Sequence, residues 1–381
     1  MWHERRQGNM HVSRGSATPP TVPLAPSTNR DWRKRESVVT SEPVKANITS
    51  GGPAEFASLI EAYRHELNLH CYRLLGSLHD AEDVVQETML RAWQYRDAFR
   101  GQSSLRTWLY KIATNACLDV LKKRPARTLP VAATPKADPF LPFAPAWATS
   151  SWLEPIPNSW LAQATEDPAA RYSRRESVSF AFLIALQLLP PRQRAILLLS
   201  DVLDWHTSEI AQLLSISVSA VKSALHRARV TLEKYARSDE QKKGEGLSAD
   251  AATQALLERY VRAWESEDIA GLVALMKEDA TFTMPPLPSW YRGREAIRVL
   301  LIQRIFAGET QKRWSFSLTG ANGCPALAMY RAVGSGGPSQ AFGIQVLTLE
   351  TSASGVLIAD ATIFLDPLLF PSFGFPQDLP R

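Results

Sequence analysis

Between Arg100 and Arg127 the chain carries seven basic residues (Arg100, Arg106, Lys111, Lys122, Lys123, Arg124 and Arg127) against a single acid, Asp119. Within that stretch Arg106, Trp108, Tyr110 and Lys111 interleave cations with aromatic rings. Cations neutralise phosphates and rings stack on exposed bases, so this is a composition for holding single-stranded nucleic acid. The competing role for Trp108, Ile112 and Ala116 is core packing at four-residue spacing. Ile112 and Ala116 are assigned to core, and Trp108 stands between the two roles.

A second cationic site lies further on. One helix is predicted from about Thr207 to Leu214, a turn over Ser215-Ile-Ser217, and a second helix from about Val218 to Tyr235. Ile210, Leu213, Leu214, Val218, Val221 and Leu225 would pack the pair together. Ser219, Lys222, Ser223, His226, Arg227 and Arg229 would then face outward, toward a major groove and its phosphates. A third cluster is acidic. Asp80, Glu82, Asp83 and Glu87 crowd one end of a segment whose Val84, Val85, Leu90 and Trp93 are apolar. Taken alone, such acids simply complement the positive end of a helix dipole.

These sites need elements to carry them. The 381 residues suffice for two or three domains, and 45% hydrophobic content supports real cores. Residues 1–53 are rich in Pro, Ser, Thr and Arg without a period, and read as a disordered leader. From Phe56 to Leu75 apolar residues recur at three- and four-residue steps, which predicts one amphipathic helix. After Gly76-Ser-Leu-His, Asp80 is the expected N-cap of a second helix, with Asp83 in the reach-back position. A third helix is predicted to run to about Lys123 and stop at Pro125. These make a helical domain over 54–127. The Pro-, Ala- and Trp-rich stretch 128–175 reads as an interdomain linker, residues 176–238 as the helix-turn-helix domain, and 239–250 as a polar linker. Residues 251–381 carry helices near 250–267 and 293–306, then strand-like runs near 313–319, 325–333, 341–350 and 355–365, which makes an α+β domain.

Bulk properties exclude several classes. The net charge of +5 rules out a uniformly basic protein but not local patches. Cys71, Cys117 and Cys324 fit no CxxC pattern, so neither a disulfide framework nor a zinc site is expected, and a reducing cytoplasm suits them. The charged N-terminus does not read as a secretory signal. The longest apolar run, Val178 to Pro191, is too short to span a bilayer.

In combination and order, the Asp80–Trp93 and Ser104–Asp119 segments, then Leu189–Ser200 and Glu209–Arg229, resemble regions two and four of the extracytoplasmic-function sigma factors of bacterial RNA polymerase. The resemblance implies that Asp83, Gln86, Glu87 and Arg91 contact core polymerase. It also implies that Asn115 and Asp119, with the basic residues around them, handle an opened -10 element while the helix-turn-helix reads a duplex -35 element. Two positions depart from the pattern: Ser215 stands where a turn glycine is common, and Ala224 where many relatives carry arginine. Residues 251–381, through Ala251–Trp264, Asp279–Pro286 and Trp290–Ile297, resemble the SnoaL-like, ketosteroid-isomerase-like cone fold. A subset of the same sigma factors carries such a domain in cis, with a Trp152-Leu-Glu-Pro motif and a Phe/Pro-rich tail like Leu365–Pro376.

The expectation is therefore a multidomain sigma factor: two all-α domains plus an α+β cone. It would be an adaptor for core RNA polymerase and promoter DNA, without cofactor, metal or membrane partner, and modulated in cis by the cone domain. A small ligand in the cone pocket is also expected. The rival reading is an isomerase- or cyclase-type enzyme fused to a DNA-binding module. There Asp360 would be a proton acceptor in a cavity lined by Trp290, Tyr291, Trp314 and Phe316, as against a strand-end or edge carboxylate beside core aromatics.

Overall fold

The structure is a computed structural model that describes residues 53–99, 103–161, 177–239, 251–307, 314–332, 337–352 and 355–379. The expected leader, the distal part of the 128–175 linker and nearly all of the 239–250 linker lie outside the described residues.

The first helical domain is built from α1 (Pro53–Glu61), α2 (Arg64–Leu75), α3 (Leu78–Gln94) and α4 (Leu105–Leu121). The single helix expected over 56–75 is thus two, parted at Ala62 and Tyr63, although Phe56, Ile60, Leu67, Cys71 and Leu74 are all buried as the period required. Gly76 ends α2 at φ +70°, a left-handed position. A Cβ there would stand 2.5 Å from the Leu153 side chain, so both backbone and packing demand glycine. The cap of α3 is Ser77, whose hydroxyl accepts from the Asp80 amide at 3.1 Å. Asp80 is therefore not the cap. Its carboxylate is bound by Arg127 at 2.7 Å and by Arg124, because the chain returns past it after α4.

The second helical domain runs through α6 (Phe180–Gln187), α7 (Pro191–Leu197, extended by a π-turn to Val202), α8 (Thr207–Leu214) and α9 (Val218–Asp239). The short α5 (Pro130–Ala133) precedes them. The first helix and the turn fall where expected, and the second helix runs on to Asp239, past the expected end at about Tyr235. Ser215 sits at φ +55°, so a non-glycine residue does occupy the left-handed turn, at a strain on the order of 1 kcal/mol. Ile210, Leu213, Val221 and Leu225 are buried between the helices. Val218 is not: at the first position of α9 it is 38% exposed.

The cone domain begins with α10 (Ala251–Glu265) and α11 (Ile269–Ala274), and α12 (Arg294–Leu300) follows after two strands. The strands are β1 (Met276–Thr283), β2 (Trp290–Arg292), β3 (Trp314–Ala321), β4 (Cys324–Ala332), β5 (Ser339–Ser352), β6 (Gly355–Phe364) and β7 (Asp378–Leu379). They form one sheet in the order β2-β1-β6-β5-β4-β3, antiparallel except for β1 with β6, with β7 on β5. One face packs under the helices through Tyr260, Trp264, Leu327, Met329 and Ile363. The other is covered as well: Phe364 lies 5.4 Å from Phe180 of α6, and Tyr330 lies 5.1 Å from Phe370 of the tail. Burial on both faces explains why the middles of β4, β5 and β6 read as nearly continuous apolar runs.

The stretch expected to be a linker is, over 128–161, part of the folded body. Thr128 pairs with Trp152. Between them the chain crosses the β1–β2 edge of the cone as a strap. Ala137 N donates to Trp290 O (2.9 Å), Trp147 N to Pro286 O (3.0 Å), Trp152 Nε1 to Pro286 O (3.1 Å), and Trp290 Nε1 back to Thr134 O (2.8 Å). The proline-rich composition removed the helical period. The aromatic residues supplied the anchors: Trp152 is buried and stacks on Trp147 at 5.0 Å.

Candidate nucleic-acid and polymerase interface

Helices α3 and α4 flank a groove of about 370 Å³ lined by Asp83, Glu87 and Arg91 on one wall and by Asp119, Lys123 and Arg124 on the other. Residues expected separately as polymerase-binding and as DNA-binding thus share one concavity. Asp83 and Glu87 are exposed, and Arg91 holds Glu87 at 2.7 Å across one turn. Gln86 is exposed on α3 but outside the groove.

Along α4 the cation and aromatic interleaving divides between two faces, because residues four apart share a face and neighbours do not. Lys111, Asn115 and Lys122 form an exposed stripe, with Lys122 paired to Asp119 at 2.8 Å. Trp108 is half-buried and packs 5.2 Å from Phe99, in keeping with a core role. Arg106 points the other way, its Nε 3.1 Å from both oxygens of Glu66 and its guanidinium 5.1 Å over the Tyr110 ring. Tyr110 itself is fully buried between His70 (4.9 Å) and Trp205 (5.4 Å) of the second helical domain. It is not available for stacking on a base in this arrangement. His70 beneath it is held neutral, burial dropping its pKa to about 3.

The recognition helix is open. Ser219, Lys222, Ser223, His226 and Arg227 on α9 are all exposed. Arg229 is exposed too, but its guanidinium forms a two-point pair with Asp201 at 2.7 and 3.0 Å. Ala224, the second position expected to depart from the family pattern, is buried on the opposite side and faces the interior.

Beyond these faces the structure adds a junction that the residue patterns did not reveal. Asn322, at the β3–β4 turn, is buried and donates to Tyr72 Oη of α2 (2.8 Å) and to Val178 O before α6 (2.7 Å). Its Oδ1 accepts from Ile156 N of the strap at 2.9 Å. One side chain therefore ties both helical domains and the strap to the cone. Asn322 and Gly323 carry φ of +52° and +80°, the requirement of a tight hairpin turn. The Asn-Gly pair could have disclosed the turn, though not its partners.

Glu154 of the Trp-Leu-Glu-Pro motif is the second anchor. It accepts from Ser77 Oγ (2.9 Å), Leu78 N (3.0 Å) and His79 Nδ1 (3.0 Å), and Arg127 reaches its other oxygen at 3.2 Å. Burial alone would raise the Glu154 pKa, but His79 and Arg127 bring it below the usual carboxylate range. The Glu154 hydrogen bond pushes His79 up to about 9, helped by the Leu368 carbonyl and Asp366 of the tail. Arg194 of α7 is buried against the C-terminal end of α2, donating to Leu74 O at 2.5 Å.

The features expected of an enzyme do not assemble. Trp290 on β2 and Trp314 on β3 stand at opposite edges of the sheet, Trp290 is bonded to the strap, and Tyr291 is core. Asp360 is neither at an edge nor at a strand end. It lies mid-sheet on β6 opposite Thr281 and Thr348, and takes the Thr281 hydroxyl. No group of three metal-ligating side chains occurs among the described residues, and no helix there is long and apolar enough to cross a membrane.

An acid-and-base groove on one helical domain, joined to an open helix-turn-helix on another, defines a two-part DNA-reading factor. Comparison with known proteins places it. Residues 59–127 match sigma-70 region 2, residues 180–232 match sigma-70 region 4, and residues 257–353 match the SnoaL-like domain. The chain is 44% identical over 326 residues to the ECF RNA polymerase sigma factor SigG of Mycobacterium tuberculosis, covering 85% of each. It is 29% identical over 192 residues to the ECF RNA polymerase sigma factor SigW of Bacillus subtilis, covering 50% of this chain and 93% of that one. The crystal structure of the Mycobacterium tuberculosis extracytoplasmic function sigma factor SigJ aligns with a TM-score of 0.49 at 22% identity, over 84% of this chain and 99% of that one. The protein belongs to the ECF RNA polymerase sigma factors, with a SnoaL-like domain at its C-terminal end. It is an alternative sigma factor, a transcription initiation factor that binds core RNA polymerase and promoter DNA.

Proposed function

We propose that the cone domain and strap act in cis as a brace that sets the spacing between the two DNA-reading halves of this sigma factor. Asn322 carries the reading. Its side chain bonds region two at Tyr72, the lead-in to region four at Val178 and the strap at Ile156, so none of the three can move away without breaking a buried bond. In the braced state the recognition helix is free to meet duplex DNA. The inward face of α4 is covered by Trp205. Duplex reading would then precede strand opening, and core polymerase would shift the balance by binding a differently spaced arrangement more tightly.

In this reading Asp83, Gln86, Glu87 and Arg91 contact polymerase. Lys111, Asn115, Lys122, Lys123 and Arg124 hold the -10 strand, while Ser219, Lys222, Ser223, His226 and Arg227 read the -35 duplex. Arg106 and Arg229 are committed to Glu66 and Asp201, and serve positioning first. Trp108 would have to leave Phe99 to stack on a base. The cone regulates without chemistry of its own, and the protein works in the cytoplasm. Promoter-dependent transcription with core polymerase, comparing the natural chain with Asn322→Gly, tests the brace. A changed yield or a changed spacer-length preference is expected, and identical behaviour on every spacer would refute it.

A further inference from the structure

Of the chain's seven asparagines only Asn322 is followed by glycine. Such a pair carries a reaction of its own. The backbone nitrogen of the second residue attacks the side-chain carbonyl carbon of the first and closes a five-membered ring. Glycine is the most permissive second residue, because no Cβ hinders the approach. Whether the reaction runs depends on what holds the two groups, and here both are held.

The nucleophile is Gly323 N. Its N–H donates to Asn158 Oδ1 of the strap at 2.7 Å, so the proton it must lose is engaged. The electrophile is the Asn322 amide, 2% exposed and fixed by Tyr72 Oη, Val178 O and Ile156 N at 2.8, 2.7 and 2.9 Å. The backbone is tied as well, Asn322 N donating to Ile156 O at 3.0 Å. Ring closure would break the side-chain bonds and the Asn158 bond together. Aspartate or glycine would suit the same turn. Neither offers two donors and an acceptor, so the junction is built from the one reactive choice.

We propose that Asn322-Gly323 is a self-modification site gated by the junction: closed, it is inert, and open, Asn322 deamidates and the junction cannot re-form. Water is the only co-reactant. Gly323 N bonds to Asn322 Cγ, the Cγ–Nδ2 bond breaks, and the Gly323 proton leaves with Nδ2 as ammonia. Water then opens the ring at either carbonyl, giving an aspartyl or an isoaspartyl residue. Neither product fits the closed state. An aspartyl carboxylate sets an acceptor against Val178 O, which itself only accepts, at a depth where an unpaired charge is costly. The isoaspartyl link lengthens the backbone of a two-residue turn and so disturbs the strand register that the turn fixes. A lasting opening is thereby made permanent. The chemistry stands on the geometry of the junction; an effect on transcription rests in addition on the brace reading.

The test follows the full-length chain at mildly alkaline pH by mass spectrometry of the tryptic peptide 314–331, in which Asn322 is the one asparagine. The chain unfolded in urea sets the rate of the freed pair. The folded chain is expected to gain mass at least about tenfold more slowly, the factor of three buried bonds at their weakest. Folded Asn158→Ala should react about fivefold faster than the folded natural chain, the factor of one neutral bond. Asn158→Asp, which keeps the acceptor for Gly323 N, should react at the natural rate. The deamidated chain, separated by ion exchange, should exchange its Ile156 amide faster than the natural chain. Equal rates in folded and unfolded chains, a natural rate in Asn158→Ala, equal acceleration in both Asn158 variants, or natural exchange at Ile156 after deamidation would each overturn the proposal. A deamidated chain whose junction is open and whose transcription is unchanged leaves the site standing and counts against the brace alone.

Discussion

Replacing Asn322 by glycine removes the side chain that joins all the parts while leaving its own turn intact. Both turn residues already have positive φ, which glycine adopts freely, so the β3–β4 hairpin should persist. Three buried hydrogen bonds disappear, to Tyr72, Val178 and Ile156. Tyr72 keeps a partner, since its hydroxyl also donates to Glu154 O at 2.7 Å, whereas the Ile156 amide loses its acceptor. At about 0.5–1.5 kcal/mol net per bond the loss sums to about 1.5–4.5 kcal/mol. That converts to a rise of roughly 10- to 1,600-fold in the population of the opened junction. Hydrogen exchange reads it residue by residue. The Ile156 amide should exchange faster by that factor, while amides in mid-sheet such as Leu327 and Ile363 keep the natural rate. An Ile156 amide that exchanges at its natural rate in the variant would refute the claim that Asn322 holds the junction. Equal acceleration at Leu327 would mean that the cone itself had been damaged.

Other predictions follow from the same geometry. His79 holds its proton more tightly in the folded chain, up to about 9, than an ordinary histidine does. Its contribution to the junction is therefore complete below the ordinary histidine range and is lost as pH climbs through about 9. Melting temperature should fall over that window, and Glu154→Gln should flatten the fall; an unchanged slope in Glu154→Gln would break the assignment. Reversing Asp83 and Glu87 to lysine should leave the helical circular dichroism intact and weaken core-polymerase binding by about 2–5 kcal/mol if each meets a buried cation. Full affinity in the double variant would move the contact elsewhere. Arg227→Ala should weaken duplex binding for all sequences alike and lower the salt slope by about one if it touches phosphate alone. A loss confined to one base position would show base readout instead.

How far the residues disclosed this molecule depends on whether their partners are local. The helix-turn-helix was legible down to its turn, because its pattern is short-range, and the family resemblance marked Ser215 as standing where a turn glycine is common. Strands β3 to β6 were legible in existence as apolar runs, whereas β1, whose first half is the charged Met276-Lys-Glu-Asp, and the two-residue β7 were not. Strand β2, of three residues, was not, having too little length to show a period. The N-cap of α3 was misplaced because Ser77 and Asp80 are both good caps, and Asp80 is drawn off by Arg127, distant in sequence. The strap looked like a tether because proline erases periodicity whether or not the chain is docked. Asn322 was invisible as a site, since its bonds reach residues 144 to 250 positions away. Tyr110 is the converse case: its type and neighbours announced nucleic acid, and a tryptophan from another domain covers it.

The central claim is that one compact arrangement of regions two and four is held in the free protein and released on polymerase. Spin labels on the exposed positions Asn115 of α4 and Ser223 of α9 permit the distance between the two halves to be measured by pulsed dipolar spectroscopy. The expected result is one narrow distance in the free chain, a broadened distribution in Asn322→Gly, and a shifted distance on adding core RNA polymerase. The same distribution in free and polymerase-bound protein, with Asn322→Gly indistinguishable from the natural chain, would contradict it.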